Sequence, residues 1–188
     1  FLLVHDDGNS QDTLQARING YLQLNGNKYP AQAIHRIDYE TSGLVLFCKH
    51  PFFQAYCDKN MEEHHIKKDY IALVQGHTNY KNKKIVSNIA RDRHNAKKMI
   101  IHPNGKESIS IFNTLKNYKD YSLIQVTILT GRKHQIRVQC ASLNHPILND
   151  SLYGGKRIDN TGLLLQSHHI QFNDIDITCP QEKRFIRK

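Results

Sequence analysis

The sequence predicts one α+β domain built on a largely antiparallel sheet. Predicted strands outnumber predicted helices and often follow one another directly, which favours antiparallel neighbours over strand–helix–strand units. The 188 residues are the length of a single domain, and 39% of them are hydrophobic, enough to build one core. No stretch reaches the roughly 20 apolar residues of a membrane span, so we expect no membrane association.

The first third of the chain is predicted to contain two strands and two helices. Phe1–Val4 has the composition of a strand, and since the chain starts there without Met, we expect an N-terminal piece to be missing. Apolar residues recur on one face of Gln11–Leu22, which predicts a helix. Leu44–Cys48 is apolar at every position, as in a strand covered on both faces. Pro51 suits the first turn of a second helix that runs to about His64.

The remainder is predicted to be strand-rich. Tyr70–Val74 is an apolar run that ends before Gly76, and it predicts a second buried strand. Ile109–Leu115 alternates apolar and polar residues, and Tyr121–Leu129 is long enough to pair back on it as a hairpin. His134–Leu143 carries apolar residues at helical spacing, which predicts a third helix.

The run His35–Gly43 places an acid, Asp38, two residues after a base, Arg36. Residues 41–43 are turn formers, so Asp38 is expected in a loop held by rigid structure, where catalytic groups are often placed. Two charges at this spacing can equally form a structural ion pair. The run alone leaves both interpretations open.

Positive charge is concentrated in one segment of the chain. The net charge is +9, and residues 79–106 carry eight Lys or Arg against one acidic residue, Asp92. Such a block, with few aromatic residues, predicts an exposed arm or loop that neutralises nucleic-acid phosphates. A basic loop that is merely solvated is the alternative.

Cysteine and histidine usage argues against disulfides and metal. The four cysteines show no CxxC spacing, which favours a reduced, cytoplasmic protein. The twelve histidines include the adjacent pairs His64-His65 and His168-His169. Adjacent side chains point apart and seldom chelate one ion, so we predict no metal site.

Three motifs occur in a fixed order, and two shorter ones follow. They are His35-Arg36-Ile37-Asp38-Tyr39-Glu40-Thr41-Ser42-Gly43-Leu44, then Lys68–Gly76, then Thr130-Gly131-Arg132-Lys133-His134-Gln135-Ile136-Arg137-Val138, then His145–Asp150 and Leu152-Tyr153-Gly154. Together they resemble the RluA family of RNA pseudouridine synthases. The resemblance runs from about Leu2 to Phe172, nearly the whole chain.

The resemblance implies a role for four residues. Asp38 corresponds to the catalytic aspartate, and Arg36 to the residue that enters the RNA stack as the target uridine leaves it. Tyr70 corresponds to the active-site tyrosine, although it could also be an ordinary core aromatic of its strand. Arg137 corresponds to the basic residue that pairs with the aspartate, and we expect it to present its planar guanidinium fork to Asp38.

The resemblance also implies an architecture and partners. Residues 1–188 would form a catalytic domain with a central mixed sheet flanked by helices and a deep cleft. The family uses no metal and no organic cofactor, and many members carry a preceding S4-type RNA-binding domain. The RNA would be ribosomal or transfer RNA, and we expect a monomer. Asn144 and Asn149 stand where the family usually has Gly, a departure that bears on substrate contacts more than on chemistry.

Further RNA contacts are predicted from charge. His35 and His134 could bond phosphate or sugar, and each could equally be a loop histidine bonded to the backbone. The residues expected to hold phosphates are Arg132, Lys133, Lys83, Lys84, Lys97 and Lys98.

An RNA-binding module that keeps the fold without the chemistry is the alternative function.

Overall fold

One long sheet organises the part of the chain that the structure describes. A computed structural model describes residues 2–5 and 12–186. The described strands are β1 (Gln32–Ala33), β2 (Ser42–Gly43), β3 (Phe47–Cys48), β4 (Lys67–Gln75), β5 (Lys83–Arg91), β6 (Met99–Ile101), β7 (Lys106–Asn117), β8 (Tyr121–Ile128), β9 (Leu165–Phe172) and β10 (Ile175–Thr178).

The helices are short and lie outside the sheet. The described α-helices are α1 (Leu14–Leu24), α2 (Gln54–Glu62) and α3 (Gln135–Ser142). Single 3₁₀ turns occupy Pro51–Phe53, Ser151–Tyr153 and Lys183–Phe185.

The sheet is mixed and largely antiparallel, as predicted. Its order is β10-β9-β4-β8-β7-β5-β6, with every neighbouring pair antiparallel, while β2 runs parallel to β9. A separate two-stranded sheet pairs β1 with β3. The α+β class and the mixed sheet expected from the sequence are therefore confirmed.

The core lies around β4, the strand that carries Tyr70. Seven consecutive residues of β4, 68–74, are buried, and β8 and β9 pair with the strand on its two edges. Leu73, Phe112 and Ile124 of the main apolar cluster have no exposed surface. The continuous apolar pattern of a fully covered strand is thus correctly placed at residues 70–74.

The predicted hairpin and the third helix are also observed. β7 pairs antiparallel with β8 through a tight turn in which Tyr118 N–H donates to the Tyr121 carbonyl at 2.8 Å. Helix α3 ends where Asn144 adopts a left-handed φ of 61°, a conformation that Asn tolerates better than most residues.

Two predictions for the first half of the chain are wrong. Leu44–Cys48 is not one buried strand, since β3 covers Phe47–Cys48 alone and residues 44–47 are half-buried. Leu2–Val4 forms no strand; the carbonyls of Leu3 and Val4 accept from the first backbone N–H groups of α1. Phe1 and Gln11, where the first strand and first helix were expected to begin, lie outside the described residues.

The basic segment is also more regular than expected. Instead of an irregular arm, residues 83–101 form β5, a tight turn and β6. In the turn, the Asp92 carboxylate accepts from His94 N–H at 2.8 Å and the Asn95 side chain from Lys97 N–H at 3.0 Å. We call residues 91–99 the basic hairpin.

Candidate active site

Asp38 sits in a turn fastened to the centre of the sheet. Its carbonyl accepts from Thr41 N–H at 2.9 Å, and Ser42 and Gly43 then pair with β9 as the parallel strand β2. Residues 42 and 43 are therefore strand, not the turn that the sequence indicated. Gly43 has φ 102°, and a Cβ there would overlap the Ser167 carbonyl. Only glycine lets the two backbones approach so closely.

Arg137 approaches Asp38 from the first turn of α3. Its Nη1 lies 3.5 Å from Oδ2 of Asp38, and the two side chains expose 7% and 22% of their surface. The Asp38 carboxylate is thus recessed and still open to solvent. Sequence reasoning correctly brought these two residues together.

The guanidinium fork, however, binds a different acid. Nε and Nη2 of Arg137 each donate to a carboxylate oxygen of Asp150 at 2.8 Å. The expectation that the fork faces Asp38 is therefore wrong, since a bidentate pair uses the planar edge of the guanidinium. The remaining guanidinium nitrogen, Nη1, faces Asp38.

Asp150 is the main residue that sequence reasoning missed. It is 1% exposed and also accepts from Tyr153 N–H at 3.3 Å, at the start of a 3₁₀ turn. A buried acid needs a cation. Asp150 ends the motif His145–Asp150, and an acid directly before a turn was the sequence feature that could have indicated its role.

Burial raises the pKa of Asp38 above that of an exposed aspartate. Arg137 and Lys133 oppose this by favouring the carboxylate, whereas the negative charge of Asp150 adds to the rise. Asp150 therefore affects Asp38 twice, because it holds Arg137 in place and also repels the Asp38 charge.

Tyr70 lies on β4, opposite Val126 of β8 and Ser167 of β9. It is 6% exposed and belongs to the main apolar cluster, against which Ile37 packs. Burial raises the pKa of its hydroxyl, and the nearby charge of Asp38 raises it further. The phenol stays neutral beside the acid, on a strand fixed from both sides.

His134 closes the site on the helix side. It precedes α3 with a left-handed φ of 54°, its Nε2 lies 3.9 Å from Oδ2 of Asp38, and its Nδ1 is 2.8 Å from the hydroxyl of Tyr153. Burial and the charges of Arg137 and Lys133 lower its pKa to about 4. His134 is therefore neutral at pH 7 and bonded to a side chain, not to the backbone.

Comparison with known proteins assigns this arrangement to a family. The sequence profile described as RNA pseudouridylate synthase matches residues 2–142. The chain belongs to the RNA pseudouridylate synthase family. The family expected from the sequence motifs is thereby confirmed.

Curated relatives of this family are similar over most of the chain. An uncharacterized RNA pseudouridine synthase of Bacillus subtilis is 37% identical over 153 residues, 80% of this chain and 50% of the relative. The ribosomal large subunit pseudouridine synthase D of Borreliella burgdorferi is 34% identical over 88% of this chain and 51% of its own. The synthase C of Buchnera aphidicola is 39% identical over 85% of this chain and 55% of its own. The chain spans about half the length of these relatives.

A solved structure shares the fold. Human RNA pseudouridylate synthase domain containing 1 superposes with a TM-score of 0.79 at 24% identity, covering 94% of this chain and 77% of the human one. At this level of identity the comparison shows the fold alone.

In this pseudouridylate synthase family member, His35 supports the loop. Its Nε2 accepts from Leu46 N–H at 3.1 Å, and burial together with the charge of Lys68 lowers its pKa to about 4. This backbone bond is the one expected of a loop histidine, and the RNA contact of His35 stays a prediction. Arg36, its neighbour, is exposed.

Some of the residues predicted to contact phosphates lie beside the site, and others lie at the far end of β5. Lys133 is close enough to favour ionised Asp38, and Lys98 lies 5.6 Å from the ring centre of Tyr153. Lys83 and Lys84 begin β5, roughly 26 Å from the basic hairpin at about 3.3 Å per strand residue. Lys97 is exposed in the turn, and Arg132 is exposed with its Nε donating to the Glu107 carbonyl at 3.0 Å.

Residues 2–5 and 12–186 bear on two further expectations from the sequence, membrane association and a metal site. No helix there has the length and apolar character to cross a membrane. No group of three or more His, Cys, Asp or Glu side chains there is arranged to hold a metal ion.

Proposed function

We propose that this chain is the catalytic domain of an RNA pseudouridine synthase that isomerises a uridine in structured RNA. The observation that carries the proposal is the recessed Asp38 with Arg137 at 3.5 Å, in a chain of this family. A buried acid with a fixed cation and a raised pKa is a frequent property of catalytic sites.

The reaction needs no external reagent. The bond between uracil N1 and ribose C1′ breaks, a bond between C5 and C1′ forms, the C5 hydrogen leaves as a proton, and N1 takes up a proton. The carboxylate of Asp38 is suited to attack C1′, to remove a ribose proton or to add at C6 of the ring. All three routes require the ionised acid, which Arg137 and Lys133 favour.

The uridine must leave its stack to reach Asp38, because the carboxylate is recessed. Extrusion costs a few kcal/mol, and the exposed Arg36 is placed two residues from Asp38 to fill the vacated space with a stacking guanidinium. The basic hairpin and Lys133 would hold the phosphates on either side of the extruded nucleotide.

Ribosomal RNA is the substrate class that we propose first. The Borreliella and Buchnera relatives carry names of large-subunit ribosomal enzymes. Transfer RNA is the second class to test. The protein's reading of flanking bases would come from loop contacts, as is usual for recognition of unstacked RNA.

The test is tritium release from RNA labelled at uridine C5. The full-length protein should release tritium from ribosomal RNA, and Asp38→Asn should abolish release while RNA affinity stays within a few fold. Asp58→Asn, an exposed aspartate of α2 bonded to Gln54, is the matched control and should retain activity.

Each outcome has a distinct meaning. No release from any ribosomal or transfer RNA fraction would overturn the proposed activity. Binding of RNA without release, together with full function of Asp38→Asn in cells, would instead show an RNA-binding module that has kept the fold.

A further inference from the structure

Tyr153 connects three parts of the site that are far apart in sequence. It lies in the 3₁₀ turn after Asp150 and is buried. Its hydroxyl accepts from Met99 N–H, at the end of the basic hairpin, at 2.8 Å. The same hydroxyl lies 2.8 Å from Nδ1 of His134, and Arg137 stacks over the ring at 5.1 Å from its centre.

The proton positions at this junction follow from donor and acceptor capacity. A backbone N–H can only donate, so the Tyr153 oxygen accepts from Met99 and has one proton left to give. Within the described contacts of this oxygen, the remaining partner is Nδ1 of His134. The hydroxyl therefore donates to Nδ1, and the proton of the neutral imidazole resides on Nε2.

The opposite arrangement would leave a buried polar group without a partner. If Nδ1–H donated to the Tyr153 oxygen, the hydroxyl proton would have no acceptor among the described contacts, and buried donors of this kind are rarely left unpaired. The imidazole would then also turn an unprotonated Nε2 toward the Asp38 carboxylate, placing two acceptors side by side.

We propose that Tyr153 is a positioning residue that fixes the tautomer of His134, so that its Nε2–H faces the carboxylate of Asp38 and the nucleotide bound there. The part that concerns the nucleotide rests on the proposed function. The 3.9 Å between Nε2 and Oδ2 exceeds a hydrogen bond, so a small movement or a substrate oxygen between the two groups completes the contact.

The arrangement supplies a second donor to Asp38 that adds no charge. Arg137 divides its positive charge between Asp38 and Asp150, whereas the neutral His134 offers an N–H alone. His134 and Arg137 are three residues apart at the start of α3, and both contact the ring of Tyr153. One tyrosine therefore contacts both donors that face the acid, while Asp150 anchors Arg137.

The test reads the His134 tautomer by long-range ¹H–¹⁵N NMR of protein labelled with ¹⁵N-histidine. His134→Gln identifies the His134 signals among those of the twelve histidines. At pH 7 the free protein should show a protonated Nε2 and an unprotonated Nδ1. A protonated Nδ1 or a doubly protonated ring would overturn the proposal without any activity measurement, even where Tyr153→Phe fails to fold.

Tyr153→Phe keeps the ring and removes the hydroxyl. It should mix the two tautomers of His134 and lower kcat about tenfold while KM for RNA stays within about twofold, as for a lost hydrogen bond made at the reacting centre. Tyr56→Phe removes a hydroxyl that contacts Asn173 in the turn after β9 and should change neither. An unchanged tautomer, or an unchanged kcat once the tautomers have mixed, would overturn the role of Tyr153.

Discussion

Asp150 takes both strong hydrogen bonds of Arg137, at 2.8 Å each, and leaves Asp38 the third guanidinium nitrogen at 3.5 Å. The buried pair of Arg137 with Asp150 is thus distinct from the contact of Arg137 with Asp38, which faces solvent. Because Arg137 is anchored by a buried acid, its position does not depend on the protonation state of Asp38.

Asp150→Asn should destabilise the protein strongly. It leaves Arg137 buried without its anionic partner, and breaking such a pair costs about 3–5 kcal/mol. Urea denaturation measures the loss. Asp12→Asn is the control, because Asp12 and Arg17 form a pair in which both side chains are 62% exposed, and it should leave stability unchanged. Equal losses in the two variants would show that Asp150 has no special role.

Lys133→Ala should shift the pH dependence of catalysis. Lys133 lowers the pKa of Asp38, so its removal raises that pKa and leaves less ionised acid at mildly acidic pH. The acidic limb of the kcat/KM profile should move to higher pH. Lys59→Ala, which removes an exposed lysine of α2, should leave the limb in place; a shift toward lower pH in Lys133→Ala would contradict the assignment.

Gly43→Ala should disrupt the Asp38 loop. The new Cβ overlaps the Ser167 carbonyl and the residue has φ 102°, so we expect a loss of about 3 kcal/mol or more. Gly20→Ala in α1 is the matched control, with open space around its Cβ; it should stabilise the helix by about 0.5–1 kcal/mol. Thermal unfolding of the two variants in parallel checks that Gly43→Ala lowers stability and Gly20→Ala raises it.

His169 should make stability depend on pH. Its ring lies 2.9 Å from both Asp176 and the buried Asp69, and these contacts raise its pKa above 6.5. A raised histidine pKa contributes stability that is complete below pH 6.5 and is lost as pH rises through the folded pKa. His169→Gln should remove this part of the decline in urea unfolding; His65→Gln, at an exposed position, should keep it.

Salt dependence should show which lysines contact RNA. Replacing Lys97 and Lys98 by Ala should flatten the slope of log affinity against log salt by about 1.4–1.8, if each lysine binds one phosphate. Replacing Lys83 and Lys84 tests the other end of β5 in the same way. A lysine pair whose replacement leaves the slope unchanged faces away from RNA. Lys59→Ala, at an exposed lysine of α2, is the control and should leave the slope as it is.

Local sequence patterns predicted the centre of the fold well. The apolar run Tyr70–Val74 and the alternation in Ile109–Leu115 depend on neighbours within a few residues, and both elements were found. Leu44–Cys48 was misjudged because an apolar run shows burial without showing which partner provides it. Phe47 and Cys48 pair with β1, which precedes them, whereas Leu44 N–H donates to the Ser167 carbonyl of β9, more than 120 residues further along the chain.

The site was predicted where its motifs are local and missed where its contacts are not. Asp38, Tyr70 and Arg137 stand in recognisable motifs, and the structure brings the three together around β4 and α3. Asp150 and Tyr153 act through partners 13 and 54 positions away, which no spacing rule indicates. Asn149, like Asn144, has a positive φ, 66°, which gives a backbone reason for the glycines usual at both positions.

The parallel contact between β2 and β9 has a consequence for the growing polypeptide. The turn that holds Asp38 is fastened by Ser42 and Gly43 to Gln166 and Ser167, which are synthesised more than 120 residues later. Until those residues leave the ribosome, the nascent chain contains Asp38 but lacks the strand to which its loop pairs. Since domains fold as units as the chain emerges, the acid reaches its final position only near the end of translation of this domain.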